Sequence, residues 1–204
     1  MKSIAAFLMA ALLLMFSQQL FAEVAPAQQG VQKFIETLRG MKFPPADEAR
    51  QSQLVATANA LLDLESMSKK ALGENWAKAS EEQRKLFLDL MSQLVEKVAY
   101  PKSSHFMGDY EIQYPEVAVD GNGFAVHSVI KQEEEGLDAE VIYHLYDKTG
   151  TWVIDDVFLD GVSITEDLRY QFDKLIQDSR FEGLLEKMKS RLAEAATENQ
   201  NAAA

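Results

Sequence analysis

The sequence predicts an α+β fold in which a curved antiparallel sheet of four to five strands packs with N-terminal and C-terminal helices around an apolar cavity. Three observations support this fold class. Apolar residues recur at helical spacing through the first half of the chain, alternate at strand spacing between residues 110 and 159, and return to helical spacing from about residue 165. Helices, strands and helices in separate blocks are typical of α+β rather than alternating α/β proteins.

The N-terminal half predicts three helical regions. The first has an apolar stripe that ends at Gly40, and the second runs from Asp47 to Leu72 with a break near Asp63 and Gly73 as its C-terminal cap. Ser80 and Gln83 form a capping box at the start of the third. The apolar stripe of the first helix comprises Val31, Phe34, Ile35 and Leu38, and that of the third comprises Leu86, Phe87, Leu90, Met91, Leu94, Val95 and Val98.

Four strands are predicted at residues 110–114, with 117–119 as an extension, and at 124–131, 139–146 and 152–159. Turn signals at 120–123, 133–136 and 148–150 separate them. Because the connections are short, consecutive strands should be antiparallel neighbours. One apolar face of the third strand should meet the helices, and the other should meet a second apolar layer or a ligand cavity.

The C-terminal segment predicts a helix capped by Thr165, with Ser163 helping to start it and Leu168, Phe172, Leu175 and Ile176 as its stripe. Ser179 and Glu182 predict a second capping box. Residues 193–204 contain Ala, Asn, Gln and Glu without periodicity, so a disordered tail is expected there. The predicted domain therefore covers residues 23–192.

Residues 1–22 predict a secretory signal peptide. Lys2 precedes an apolar run from Ile4 to Phe16, and cleavage is expected after Ala22, with a second candidate site at residues 25–27. An uncleaved membrane anchor is the alternative, although the apolar run is short for a bilayer span. The chain has no cysteine, which excludes disulfides, a lipoprotein anchor and cysteine-ligated metal. The expected location is the periplasm of a Gram-negative cell.

The formal net charge of −12 argues against a nucleic-acid partner, because phosphates would be repelled. The same acidity discourages lasting adhesion to anionic membranes. Alternatively, the charge only keeps the protein in solution.

Three segments resemble one family when they are taken in order. Residues 61–76 carry Asp63, Met67, Ser68, Leu72, Gly73 and Trp76 in a D-x-x-x-M-S-x-x-x-L-G-x-x-W arrangement. The helix at residues 80–100 follows, and residues 152–172 carry W-x-x-x-D-V, G-V-S and R-x-x-F. This order is similar to the MlaC family of periplasmic phospholipid-binding proteins, which includes toluene-tolerance auxiliary components of ABC transporters.

The resemblance implies a non-enzymatic, monomeric phospholipid carrier with an NTF2-like or cystatin-like fold. Such a carrier would shuttle lipid between the outer and inner membranes and maintain outer-membrane lipid asymmetry. Its implied partners are an inner-membrane ABC transporter complex and an outer-membrane lipoprotein–porin complex. No metal or other cofactor is predicted.

The candidate lipid-binding residues are aromatic or aliphatic, with one arginine that could meet a lipid phosphate: Tyr100, Phe106, Tyr110, Tyr143, Leu145, Trp152, Val157, Leu159, Val162, Ile164, Leu168, Phe172 and Arg169. Ordinary core packing is the alternative for the apolar members. For Arg169 the alternative is an ion pair with Glu166, Asp167 or Asp173.

Few residues suggest other chemistry. Adjacent Asp155 and Asp156 should point to opposite faces of a strand, which excludes a carboxylate dyad, and Asp156 should form a structural hydrogen bond to a turn or neighbouring strand. The three histidines, His105, His127 and His144, lack metal-ligand spacing. Three alternative functions stay open: a carrier of another hydrophobic ligand such as a hopanoid, a periplasmic chaperone, and an isomerase-like enzyme that uses Asp156 with Tyr143.

Overall fold

A computed structural model describes residues 24–132 and 137–202; the predicted signal peptide and the turn at 133–136 lie outside these ranges. The helices come first. They are α1 (helical over 24–40), α2 (Glu48–Leu61), α3 (Leu64–Leu72), α4 (Glu74–Lys78), α5 (Glu81–Leu94), a π-helical turn (Val95–Ala99) and α6 (Tyr100–Met107). Five strands follow, β1 (Glu111–Asp120), β2 (Gly123–Gln132), β3 (Leu137–Lys148), β4 (Thr151–Leu159) and β5 (Val162–Ser163), before the long helix α7 (Ile164–Ala202).

The five strands form one curved sheet in the order β1-β2-β3-β4-β5, and every neighbouring pair is antiparallel. This confirms the predicted fold class. Side chains alternate across the sheet, so residues of β2 and β3 on one face are buried, whereas those on the other are half-exposed. The buried face is the inner face, which α1 covers, and the opposite face is the outer face.

Local capping explains where several helices begin. Asp63 accepts a hydrogen bond from the Ser66 N–H at 3.0 Å, which starts α3 at the predicted break, and Gly73 ends that helix with φ +51°. Ser80 and Gln83 form the predicted capping box on α5, with bonds of 3.2 and 2.8 Å.

The predicted cap of α7 is wrong in detail. Ser163, rather than Thr165, caps the helix by accepting a bond from the Glu166 N–H at 3.1 Å. The Thr165 hydroxyl instead donates to Asp156 at 2.7 Å. The helix starts at Ile164, so Thr165 already lies in its first turn, and Ser163 caps the helix while its own hydroxyl also donates to Asp156.

The C-terminal helix also departs from the prediction. A kink at Arg180 (φ +64°) divides α7 near the expected break, but the Ser179 hydroxyl donates to the Leu175 carbonyl at 2.8 Å, so no capping box forms with Glu182. The helix continues to Ala202, through most of the segment 193–204 for which a disordered tail was expected. Arg191 pairs with Glu194 and Glu198 across successive turns, and alanine is a strong helix former.

Two separate apolar clusters hold the molecule together. The first, here called the sheet core, joins the inner face to α1, α2 and α6. The second, here called the helical core, is formed by α3, α5 and α7 together with the loop residue Ala79. Within the described residues, no helix combines the length and the apolarity required to cross a membrane.

Candidate functional site

The sheet core forms where α1 lies across the inner face. The α1 stripe of Val31, Phe34, Ile35 and Leu38 is buried, as the helical spacing predicted. Cross-strand pairing places Val126 opposite Tyr143 and Phe124 opposite Leu145, so their side chains share this face. These buried residues of the sheet and helix are less than 6% exposed, which makes the centre of the sheet core dry.

Aromatic rings connect the layers of the sheet core. Phe34 on α1 meets Tyr100 and Tyr143 edge to face, with ring centroids 6.5 and 6.3 Å apart. Phe124 packs against Trp152 at 5.1 Å. Such contacts favour a fixed ring geometry over a fluid interior.

Polar groups inside the sheet core have partners. The Tyr100 hydroxyl donates to Asn59 at 2.7 Å, and the Asn59 amide donates to Glu96 at 2.8 Å. Ser128 donates to the Val141 carbonyl at 2.8 Å. Burial raises the pKa of both Tyr100 and Tyr143, so their phenols stay neutral. The site therefore presents apolar surface rather than charge.

The margin of the sheet core is only half-buried. On one side it includes Tyr110 and residues of β1, which is an edge strand of the sheet. On β4 it includes Trp152 and Val157. The β1 members are Ile112, Tyr114 and Val117. Their partial exposure makes the β1 side one accessible border of the apolar cluster.

The outer face carries polar contacts rather than an apolar cluster, and these contacts centre on the carboxylates of Asp63, Asp155 and Asp156. Asp63 accepts bonds from Tyr146 and, at 2.7 Å, from Lys148. Asp155 contacts His144 at 2.5 Å and Lys70 at 2.6 Å. These contacts fasten α3 to β3 and β4.

Asp156 is the third member of this outer-face set. It accepts bonds from the hydroxyls of Ser163 and Thr165, each at 2.7 Å. The predicted structural role of Asp156 is confirmed, because these bonds tie the end of β4 to the start of α7.

The expectation that Asp155 and Asp156 point to opposite faces is wrong. A bulge between His144 and Leu145 makes His144 pair with Asp156, while Leu145 pairs with Ile154. Asp155 is the extra residue and bonds to His144 on the same outer face. The two carboxylates nevertheless have different partners, so they do not act as one unit.

The structure places the thirteen predicted site residues in several places. The sheet core contains Tyr100, Tyr143 and Leu145 as buried members and Tyr110, Trp152 and Val157 at its margin. Leu168 and Phe172 belong to the helical core. Ile164 is half-buried at the start of α7. Phe106, Leu159 and Val162 are 41%, 45% and 59% exposed.

Arg169 lies on the α3–α7 side of the molecule. Its stem packs against Gly73, and its guanidinium is 4.0 Å from Glu166, one of the three expected acidic partners. The structure therefore separates Arg169 from the six candidates that meet in the sheet core.

Other sheet-core residues were not among the candidates. The α1 stripe was recognised as a helix face, but nothing in its spacing says which surface it covers. The other buried members are Ala27, Met41, Ala58, Leu61, Met107, Phe124, Val126, Ile130, Val141 and Ile154. Alternation along β2 was the available signal for Val126 and Ile130. No group of three or more His, Cys, Asp or Glu residues in the described ranges could hold a metal ion.

The fold and this site define an α+β protein with an antiparallel meander whose inner face is covered by helices. The family model described as "MlaC protein" matches residues 28–190, and the chain belongs to the MlaC family. No curated protein matches the chain in sequence.

A solved structure has the same fold. It is a phospholipid-binding protein from Ralstonia solanacearum in complex with a phospholipid, with 20% sequence identity and a TM-score of 0.69. The match covers 85% of this chain and 98% of that one.

Proposed function

We propose that the protein is a periplasmic phospholipid carrier that moves lipid between the outer and inner membranes and thereby maintains outer-membrane lipid asymmetry. Membership of the MlaC family is the observation that carries this proposal. The similar fold of a protein solved with a bound phospholipid supports the ligand class.

The acyl tails are proposed to lie between the inner face and the helices that cover it, in the region of the sheet core. Burying a methylene is worth about 0.8 kcal/mol, so a lipid with about 30 methylenes needs on the order of 24 kcal/mol of compensation when it leaves a bilayer. Only apolar surface that surrounds the tails supplies this much. The half-buried border along β1 is the proposed route of entry, and the headgroup stays near solvent.

The proposed partners follow from the family: an ABC transporter complex in the inner membrane and a lipoprotein–porin complex in the outer membrane. The carrier itself performs no chemical reaction in this proposal. Direction of transport then depends on the energetics of the partners rather than on this chain.

The isomerase-like alternative receives no support from the geometry. Tyr143 pairs with Val157 across the strands, so it lies on the inner face, whereas Asp156 lies on the outer face. Both Asp156 oxygens also accept hydrogen bonds from the protein. A hopanoid-like ligand or an unfolded polypeptide would use the same apolar surface, and the experiment below separates these ligands.

The test is native mass spectrometry of the folded protein without residues 1–22, followed by organic extraction of whatever it retains. One diacyl phospholipid per chain, with mixed headgroups, supports the proposal. A sterol-like ligand, a bound polypeptide or an empty protein that takes up no lipid from phospholipid vesicles would contradict it. Cell fractionation should find the mature chain in the periplasm.

A further inference from the structure

A solvent-accessible cavity of about 340 Å³ lies beside the sheet core, between the loop after α1 and the end of α6. Arg39, Lys42, Ser104, His105 and Asp109 are its polar lining residues. The Ser104 hydroxyl donates to the Met41 carbonyl at 3.3 Å, which joins the two walls. None of the predicted lipid-binding residues lines this cavity.

The charge of the cavity opposes that of the chain. Arg39, Lys42 and the titratable His105 face a single acidic residue, Asp109, whereas the whole chain has a net charge of −12. In the part of the chain that the structure describes, none of the four forms a salt bridge. Their charges are therefore available to a ligand.

The guanidinium of Arg39 is held by backbone carbonyls through one of its nitrogens. Its Nη2 donates to the carbonyls of Tyr110 and, at 3.4 Å, of Met107. Its Nε is buried and has no hydrogen-bond partner among the described residues. The buried Nε does not face the solvent-accessible cavity, so the exposed part of the guanidinium is the part that can meet a ligand. A guanidinium matches the oxygens of a phosphate particularly well.

The cavity also adjoins apolar surface. Met41 lines the cavity and is a buried member of the sheet core, and Met107 supplies one of the carbonyls that hold Arg39. An anionic group in the cavity would thus be directly next to the region proposed for the acyl tails. A molecule with a phosphate at one end and hydrocarbon at the other fits this juxtaposition.

We propose that this cavity binds the phosphate of the lipid, with Lys42 contributing positive charge, the His105 imidazole a hydrogen-bond donor and Arg39 a hydrogen-bonding guanidinium. The inference rests on the proposed carrier function and adds a headgroup contact to it. Free inorganic phosphate shares the same chemistry, so the experiment must distinguish the two sources.

The experiment compares lipids that share their tails and differ in the phosphate. Delipidated protein is incubated with phosphatidylglycerol vesicles that contain a minor fraction of tail-matched diacylglycerol, and retained lipids are quantified by mass spectrometry. We expect the wild-type protein to prefer phosphatidylglycerol about tenfold after correction for abundance, as one or two charged hydrogen bonds would give.

The test variant combines Lys42→Gln and His105→Gln, and leaves Arg39 intact because its backbone contacts position the cavity wall. This variant should prefer phosphatidylglycerol severalfold less than the wild type does, because only Arg39 remains to meet the phosphate, while it retains diacylglycerol as the wild type does. Lys85→Gln, which removes an exposed charge from α5, is the matched control and should keep the preference. Circular dichroism should confirm that all variants fold.

The outcomes separate the two proposals. A test variant that keeps the full preference, or a wild type that retains both lipids equally, overturns the phosphate site and leaves the carrier function intact. A wild type that retains neither lipid overturns the carrier function. If inorganic phosphate alone raises the unfolding temperature of the wild type but not of the test variant, and no lipid preference exists, the site binds free phosphate and the headgroup assignment is wrong.

Discussion

The sheet core and the helical core are both apolar and both have half-buried residues at their margins, but only the sheet core reaches an edge strand of the sheet. In the helical core, Phe87 packs edge to face on Phe172 at 5.6 Å and contacts Phe181 at 6.3 Å, and α3, α5 and α7 surround these rings. In the sheet core, a buried centre grades into a half-buried margin that ends at the edge strand β1.

This difference suggests that the two cores have different roles, the helical core in stability and the sheet core in lipid binding. A cluster formed by three packed helices is suited to fixing the shape of the molecule, because close packing resists displacement. A cluster with a half-buried apolar border along a sheet edge can exchange internal contacts for contacts with a hydrocarbon chain. The proposed carrier function requires the second kind of cluster, and the first kind keeps the fold intact while lipid enters and leaves.

The largest effect is expected in the helical core. Phe87→Ala should lower the free energy of unfolding by about 4 kcal/mol, because it leaves a cavity among the rings of Phe172 and Phe181. Urea denaturation measures this loss. Lipid retained per folded chain should stay unchanged at low temperature, and a parallel loss of lipid would show that the two cores are not independent.

A second substitution tests the sheet core. Val126→Phe adds volume to the inner face at a fully buried position and should cost about 2 kcal/mol of stability. If tails occupy this region, lipid retention measured by mass spectrometry should fall severalfold. Val153→Phe is the matched control, because Val153 is also buried, at 5% exposure, but pairs with Tyr146 on the outer face. Equal lipid loss in both variants would contradict the proposed tail site.

The third effect in size is expected at Asp63. Its outer-face contacts join α3, which belongs to the helical core, to strand β3 of the sheet. Burial opposes ionisation of Asp63, but the bonds from Lys148, Tyr146 and the Ser66 N–H outweigh it and lower the pKa of its carboxyl. The same contact raises the pKa of Tyr146 to about 12. Since the folded pKa is depressed, its stabilisation is present above about pH 4 and disappears as pH falls through the folded pKa.

Asp63→Asn should therefore lower the free energy of unfolding by about 2 kcal/mol at neutral pH and flatten the loss of stability in acid. Asp47→Asn is the control, because Asp47 also caps a helix but is exposed, and among the described residues its carboxylate accepts only the Arg50 N–H. Asparagine caps helices well, so this control should be nearly neutral. A similar cost for both variants would assign the effect to capping alone.

The smallest effect concerns His144 on the outer face. Its hydrogen bond to Asp155 raises the pKa of the imidazole against the opposing effect of burial, with Asp120 contributing in the same direction. A raised pKa stabilises the fold below about pH 6.5, and this contribution disappears as pH rises through the folded value. Asp155 also bonds to Lys70, so its carboxyl stays paired after His144 loses its proton.

Urea denaturation should therefore show a decrease of about 1 kcal/mol between pH 6 and pH 9 that is absent in His144→Gln. Lipid retention should not change over this range, because His144 and Asp155 lie on the face opposite the sheet core. A pH-dependent loss of lipid in the wild type alone would instead link the outer face to the binding site.

Much of the fold could be predicted from local sequence. Periodicity located α1, the third helix and the four main strands, and capping residues located the break at Asp63 and the start of α5, because these features depend on neighbours within one or two turns. Local patterns did not decide between neighbouring hydroxyl residues at the start of α7, where Ser163 caps the helix and Thr165 binds Asp156 from within its first turn.

The sequence by itself determined the fold class and the antiparallel order of the strands, since these follow from residue spacing, and three segments in order carried the resemblance to the family. Only the tertiary structure decided which apolar residues share a core. It assigned Tyr143 and Leu145 to the sheet core, Phe172 to the helical core, and Leu159 to the surface, although all four are apolar at regular spacing. It also placed Arg39, Lys42 and His105 around one cavity, because convergence of separate helix ends depends on packing rather than on the local pattern.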